Sequence, residues 1–375
     1  MIHRRKILLV ASAAVIAPWA LAAFPTKAVR IVVPNAPGGA ADITARAVGE
    51  HMARTLGQPV VIENKPGAGG VVAGQTVASA TPDGHTLLLI SSGTAVSQAL
   101  FKSLPFDTLK AFTPVAPLAT FDLVIVANEG GEFKTLADLI KFAKANPGKL
   151  NIGTPNIGTT QHLAAELFKS AAGIDAQVVP FKGTPEVINA IRGGQIQAGL
   201  DILSPLLAQI QGKALRALAV TGAKRSRVLP DVPTAQEAGV KGLNAASWNG
   251  LAVPARTPAD VVAQLNKAVG AALADAGVRQ KLEALNLDPH PGTPQDAAAM
   301  LNGDIQRWGD VIARAKIERQ TAGGEDVYAR STVELAMPAA DDAEPAAPAP
   351  APAPARKMIR AKRPGLDPDR QEMRI

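Results

Sequence analysis

Between residues 26 and 320 the chain alternates short aliphatic runs with longer amphipathic stretches. The runs at 29–33, 60–63, 86–90, 123–127, 177–179 and 215–220 are β-branched and nearly free of charge. They predict strands buried on both faces, as parallel sheets require. Weaker signals at 150–152 and 248–254 are read the same way. Helix starts stand between them. Thr257-Pro258-x-Asp260 and Thr293-Pro294-x-Asp296 each offer an N-cap, a proline at the first helical position and an acid in the first turn. Thr234-x-x-Glu237 reads as a capping box opening a helix. The stretch from Pro185 puts Val187, Ile188 and Ile191 on one face and stops at Gly193-Gly194. The pattern predicts an α/β fold with mainly parallel sheets.

The two ends fall outside this pattern. His3-Arg4-Arg5-Lys6 is a basic start, and residues 7–21 then carry no charge. That is an export signal's apolar region, too short to span a bilayer. Ala20-Leu21-Ala22 places cleavage after Ala22, so residues 1–22 are expected to be removed and the rest exported. Arg4-Arg5 fits a twin-arginine signal as well as an ordinary one. Beyond Gln320 the periodicity stops, and an Ala-Pro repeat at 347–355 precedes Arg356, Lys357, Arg360, Lys362 and Arg363. Residues 321–375 are therefore expected to form a disordered tail.

Composition narrows the function. The 375 residues are 47% hydrophobic and 19% charged, enough to bury a core. A net charge of +7 falls to +4 on losing Arg4, Arg5 and Lys6, too little to argue for a polyanion partner. Aromatics make up only 3%, which argues against nucleic-acid stacking platforms. With no cysteine there are no disulfides, thiolate metal sites or cysteine nucleophile.

Two glycine-bearing loops carry the candidate chemistry. The first, residues 35–42, follows a strand and opens a helix with Ile43, Ala47 and Val48 inward. Its adjacent Gly38 and Gly39 let backbone approach a ligand, and the helix start offers unpaired N–H groups to an anion. A tight turn without a ligand would explain this loop alone. The second, Gly153-Thr154-Pro155-Asn156-Ile157-Gly158-Thr159-Thr160-Gln161-His162, feeds a helix with Leu163, Leu167 and Phe168 inward, ending near Gly173. Capping explains one threonine but not the cluster. Two such loops predict two half-sites across a cleft. Pro66-Gly67-Ala68-Gly69-Gly70 fails as a dinucleotide fingerprint because position 72 is Val72. Phosphate-loop, serine-hydrolase and zinc-protease patterns are also missing. His162 and Glu166, one helical turn apart, read as a surface pair rather than metal ligands.

The resemblance to a family rests on several stretches. They include Val33-Pro34…Pro37-Gly38-Gly39…Asp42…Arg46, residues 56–70, Pro82-Asp83-Gly84-His85-Thr86, and Val179-Pro180-Phe181-Lys182-Gly183. Leu218-Ala219-Val220-Thr221, Leu229-Pro230-Asp231-Val232-Pro233-Thr234 and Trp248-Asn249-Gly250-Leu251 complete the set. Over about 26–320 the chain resembles the substrate-binding proteins of tripartite tricarboxylate transporters, the Bug or TctC family. The resemblance implies a type II periplasmic-binding-protein fold, two α/β lobes with a ligand cleft between them. Lobe 1 is expected at 24–125 plus 223–320 and lobe 2 at 126–222, with 123–127 and 248–254 near the crossings. It also implies a periplasmic receptor for a small carboxylate or amino acid, working with a membrane permease. A sensing module with a sensor kinase partner and an exported enzyme are the alternatives. A monomer without cofactor, metal or catalytic residues is expected. The candidate ligand-binding residues are Asn35, Pro37, Gly38, Gly39, Ala40, Asp42, Thr94, Thr154, Asn156, Gly158, Thr159, Thr160, Gln161 and Asp201. Family members usually carry an aromatic where this chain has Asn35, and Tyr is common where it has His85, expected at the surface.

Overall fold

The structure is a computed structural model that describes residues 23–321. The export signal, and the tail beyond Thr321, lie outside the described residues. Strand β1 (Val29–Val33) leads to helix α1 (Ala40–Leu56), β2 (Val60–Asn64), α2 (Val71–Ala78), β3 (Thr86–Ser91), α3 (Ser92–Leu100) and the single turn α4 (Thr108–Ala111). Then come β4 (Phe112–Asn128), α5 (Leu136–Ala145), β5 (Leu150–Pro155), α6 (Thr160–Ala172), β6 (Ala176–Phe181), α7 (Thr184–Arg192), β7 (Ala198–Ile202), α8 (Leu203–Gln211) and β8 (Leu215–Val220). The chain returns through β9 (Ala246–Pro254), α9 (Ala259–Ala274), α10 (Ala276–Glu283), β10 (Leu287–Pro289) and α11 (Pro294–Arg314).

Strand β4 joins the two halves of the protein. At 17 residues it runs for roughly 55 Å, long enough to serve both. Its first part pairs antiparallel with β9 and β10, and from Leu123 it pairs antiparallel with β7 and β8. The outer pairs are parallel, β1 with β2 and β3, and β5 with β6 and β7. The sheets are thus parallel at the crossover helices and antiparallel where the chain passes between halves. The fold is the two-lobed α/β binding-protein architecture. Only the end of β4 was readable as strand, because Pro114 and Pro117 interrupt the rest. Proline gives no N–H to the ladder, and the register slips after each of them.

Three helix starts test the capping rules. Thr293 and Asp296 form the reciprocal box at the head of α11. Helix α9 begins one residue later than read, with Pro258 as N-cap, and the Thr257 hydroxyl donates instead to the Pro254 carbonyl at 2.7 Å. Thr234 and Glu237 also make their reciprocal bonds, at 2.8 and 3.1 Å, yet only a turn follows. Gly239 at φ 97° reverses the chain there, and Thr234 is held in a bridge to Val220.

Helix α11 braces the centre of the molecule. Its Trp308 is fully buried, with the indole N–H donating to the Ser92 hydroxyl at 3.3 Å. That hydroxyl donates to Asp304, which also accepts the Trp248 indole N–H at 2.8 Å. One carboxylate therefore fixes both the first residue of α3 and the strand residue beside Asn249. Among the described residues, no helix is long and apolar enough to cross a membrane.

Candidate functional site

The loop between β1 and α1 is pinned from behind. Asp42 is buried and accepts from the Gly38 N–H at 3.0 Å, from Asn64 Nδ2 at 3.0 Å and from Arg46 Nε at 3.0 Å. Asn64 also donates to the Asn35 carbonyl at 3.0 Å, tying the loop's first turn to β2. Burial pushes the Asp42 pKa up, but bonds from Arg46, Gly38 and Asn64 outweigh it and hold the carboxyl below its ordinary range. Of the two glycines, only Gly38 needs the left-handed region, at φ 84°. Gly39 sits at φ −79°, ψ 168°, so its value is the space it leaves and not its backbone freedom. Arg46 is spent on Asp42 and Asn64.

The second loop is closed on itself and on its neighbours. The Thr159 hydroxyl donates toward the Pro155 and Asn156 carbonyls and accepts the His162 N–H at 3.2 Å, capping α6. Asn156 and Gly158 take positive φ, 49° and 76°. The Gly158 carbonyl accepts from the Ser97 hydroxyl at 3.0 Å. This contact brings the loop after β5 onto α3 and the segment around Gly69.

Between these surfaces lies a cavity on which five helices open. The N-caps Gly39 of α1, Ser91 of α3, Thr159 of α6, Gly183 of α7 and Ile202 of α8 all line it. Each start presents backbone N–H groups and the positive end of a dipole. The starts are not equivalent. Ser91 and Thr159 cap α3 and α6 with their own hydroxyls. Asp201 accepts the Thr184 hydroxyl at 2.7 Å at the head of α7 and the N–H of Ile202, the N-cap of α8, at 2.7 Å. Helices α1, α7 and α8 have no side-chain cap on their first N–H groups. These three starts leave N–H groups without a side-chain partner beside the cavity, where an anion's oxygens could meet them. Among the described residues lining the cavity there is no Lys, Arg or His. About 50 Å³ is open there to the centres of water-sized groups. One water needs about 10–15 Å³ on that measure, so the space holds a few waters.

Asp201 lines this space, and His162, buried next to Gln161, lies outside its wall. Burial pushes Asp201 up to about 6, against the pull of bonds from Thr184, Gln161 and the Ile202 N–H. Burial pushes His162 down to about 4, with Glu166 opposing and Lys169 assisting. The two act oppositely on stability. Above pH 4 the folded Asp201 keeps a proton that the unfolded chain has lost, so its contribution falls as pH rises through about 6. His162 is uncharged in the fold while the unfolded chain is protonated, so its contribution grows from about pH 4 to the ordinary histidine value. Between pH 4 and 6 the two nearly offset each other, so Asp201→Asn should leave a melting temperature that rises with pH there, and His162→Gln one that declines. Melts of the ligand-free protein across that range decide the point. An unchanged profile in both variants would refute it.

Asn35, Pro37, Gly39, Ala40, Asn156, Thr159, Thr160, Gln161 and Asp201 line the cavity together. Thr94 and Gly158 line a second cavity, which shares Asn35, Ser91, Gly93, Asn156 and Thr159 with the first. Gly38 and Asp42 stand behind the loop as its supports. Thr154 is fully buried under the site, and its hydroxyl has no partner within the protein. His162 is buried, not a surface residue, and Glu166 pairs with Lys169 at 3.0 Å. Among the described residues no cluster of three or more metal-ligating side chains occurs. His85 is buried too, its Nε2 accepting the Thr26 N–H at 3.1 Å.

The sequence reading missed Ser91, Thr184, Ser247 and Asn249, all on the cavity wall. For Ser91 a signal existed, since Ser91 and Thr94 form a capping box three residues apart. Asn249 gave none. It is fully buried on β9, opposite Ser91 of β3.

The family model for "Tripartite tricarboxylate transporter family receptor" matches residues 44–317. MatC from Rhodopseudomonas palustris, solved with bound malate, is 36% identical. That match covers 77% of this chain and 100% of MatC, with a TM-score of 0.74. R. palustris Rpa4515, solved with adipate, is 32% identical over 79% of this chain and 99% of its own, with a TM-score of 0.76. The periplasmic binding protein BugD is 32% identical over 79% of this chain and 100% of its own, also with a TM-score of 0.76.

Proposed function

The chain belongs to the tripartite tricarboxylate transporter receptor family, and from that premise we propose that it captures a small carboxylate in the periplasm and presents it to a membrane permease. The observation that carries this reading is the convergence of five helix starts on a cavity lined by no cationic side chain. Such a site attracts negative charge through aligned peptide dipoles, each worth about 0.3–1 kcal/mol when exposed and more when partly buried. The malate and adipate in MatC and Rpa4515 support a dicarboxylate as the kind of ligand. In this reading lobe 1 comprises 24–125 plus 223–320, lobe 2 comprises 126–222, and ligand favours the closed arrangement by its greater affinity for it. The uncapped start of α1 takes one carboxylate, with Thr160, Gln161 and Asn35 around it. The reading involves no catalysis and no cofactor.

Native mass spectrometry of freshly purified protein, followed by calorimetry with succinate, malate and adipate, tests it. Retention of a small acid, or micromolar binding of one of the three, is expected. No detectable binding of any of them at millimolar concentration would remove the proposal. The manner of binding has its own test. Gly39→Val keeps an ordinary backbone conformation, and the nearest atom to its Cβ is the Ala36 carbonyl oxygen at 3.7 Å, so the fold should persist while the cavity is filled. Affinity should drop at least about 100-fold, the scale of roughly 3 kcal/mol of lost contact and overpacking. Arg46→Ala should cost less than about tenfold, because Arg46 touches Asp42 and not the cavity. The reverse order would mean that a salt bridge holds the ligand.

A further inference from the structure

Helix α3 follows β3, in the sheet of β1 and β9, whereas Gly158 follows β5, in the sheet of β6 and β7. The two halves of the protein meet between them, away from the strands that cross. The Ser97 hydroxyl, buried on α3, reaches two backbone carbonyls, that of Gly69 in its own half and that of Gly158, 3.0 Å away, in the other. A hydroxyl has one proton to donate, so the two carbonyls share it. One turn further along α3, the Phe101 ring lies against both glycines. A Cβ at Gly69 would stand 2.6 Å from that ring, and one at Gly158 2.9 Å. Both glycines take positive φ, 62° and 76°, and a Cβ at Gly158 would also lie 3.1 Å from the Gly69 Cα. Backbone meets backbone there, with no flexible side chain between.

The support of this contact is fixed. Arg319 donates to the Phe101 carbonyl at 2.6 Å, and Gln320 exchanges backbone bonds with Leu100 and Lys102 at 3.0 and 2.9 Å, so the segment after α11 holds the end of α3. On the other side, Gly158 directly precedes Thr159, the cap of α6 on the cavity. Ser97 itself does not line the cavity on which the five helix starts open. When the halves part, water takes the Gly158 carbonyl and Ser97 keeps Gly69. The bond to Gly158 therefore favours only the arrangement in which the halves meet.

We propose that Ser97 is a latch, a positioning residue that holds the loop before α6 and slows the escape of a captured ligand. The inference rests on the receptor reading above and adds what sets the lifetime of the captured state. Entry takes place with the halves apart, so the hydroxyl acts on release and not on entry. Since it touches the loop and not the ligand, it acts alike on every acid.

Stopped-flow tryptophan fluorescence with succinate, malate and adipate, on the unmodified protein and on Ser97→Ala, tests this. Alanine suits a helix interior, so the variant should fold. Dissociation should be about 3- to 10-fold faster, the scale of one neutral hydrogen bond. Association should stay within about twofold, and the factor should be the same for each acid that binds. Phe101→Leu keeps the hydroxyl but withdraws the ring from both glycines, and should also speed release. Unchanged dissociation in both variants would overturn the latch and leave the receptor reading standing. Slower association with unchanged dissociation would overturn it as well, and so would an effect confined to one acid, which would place Ser97 on the ligand. If the unmodified protein bound none of the three, the receptor reading itself would fall, and this inference with it.

Discussion

A single methyl group at Gly158 should separate ligand affinity from fold stability. Gly158 stands at φ 76°, and a Cβ there would lie 2.9 Å from Phe101 Cε2, 3.0 Å from its Cζ and 3.1 Å from the Gly69 Cα. Phe101 is itself buried and cannot swing clear. Two costs follow, and they fall on different states. The left-handed backbone costs an alanine about 1–2 kcal/mol wherever the loop keeps its shape, which lowers the melting temperature with or without ligand. The overpacking, about 1–3 kcal/mol, falls only on the arrangement in which the loop touches α3 and the Gly69 segment. If ligand is captured in that arrangement, Gly158→Ala should weaken binding by about 5- to 150-fold. Gly173→Ala is the control. Its φ is 60° and nothing lies within 4 Å of its Cβ, so it should lose stability and keep affinity. Equal affinities in the two variants would show that the contact plays no part in capture.

Asp42→Ala should be the most damaging change at the site for the fold itself. It strips the Gly38 N–H, Asn64 and Arg46 of a shared acceptor. Breaking a buried ion pair costs about 3–5 kcal/mol. The Arg46 side chain is 52% exposed and regains water, which brings the expected loss nearer about 2–3 kcal/mol. Urea unfolding at neutral pH measures it. The loss should shrink in acid. Because the Asp42 pKa is lowered in the fold, its contribution is full above the ordinary carboxylate value and disappears as pH falls through the folded one. A variant as stable as the parent at pH 7 would show that the loop needs no pin. Arg46→Ala, by contrast, leaves Asp42 with Gly38 and Asn64 and should cost under about 1 kcal/mol.

How much of this could be read beforehand depends on how local the signal is. The strands 29–33 and 215–220 were read to the residue, since each is a short run dominated by buried aliphatic residues. The Gly173 stop of α6 and the Thr293 box of α11 are settled within four residues of chain, so they were readable as well. Strand β7 was missed because Ala-Gly-Leu-Asp-Ile carries a glycine and an acid, both rare inside strands. Its Asp201 is tolerated only because α6, α7 and the chain itself bring three donors to it. The Thr234 box is the converse, a correct local signal overruled by its surroundings.

By itself, the sequence located most of the strands and helices, showed which face of each is apolar, and pointed to two helix starts beside glycine-bearing loops. These follow from backbone conformation and hydrogen bonding over a few neighbouring residues. Tertiary structure decided the rest. It brought three further helix starts to the same point, set Asp201 across two of them, and buried Asn249 with both polar atoms unmet. Those facts depend on distances between residues up to two hundred positions apart, which no local propensity encodes. The charge of the site is the sum of dipoles that only the fold aligns.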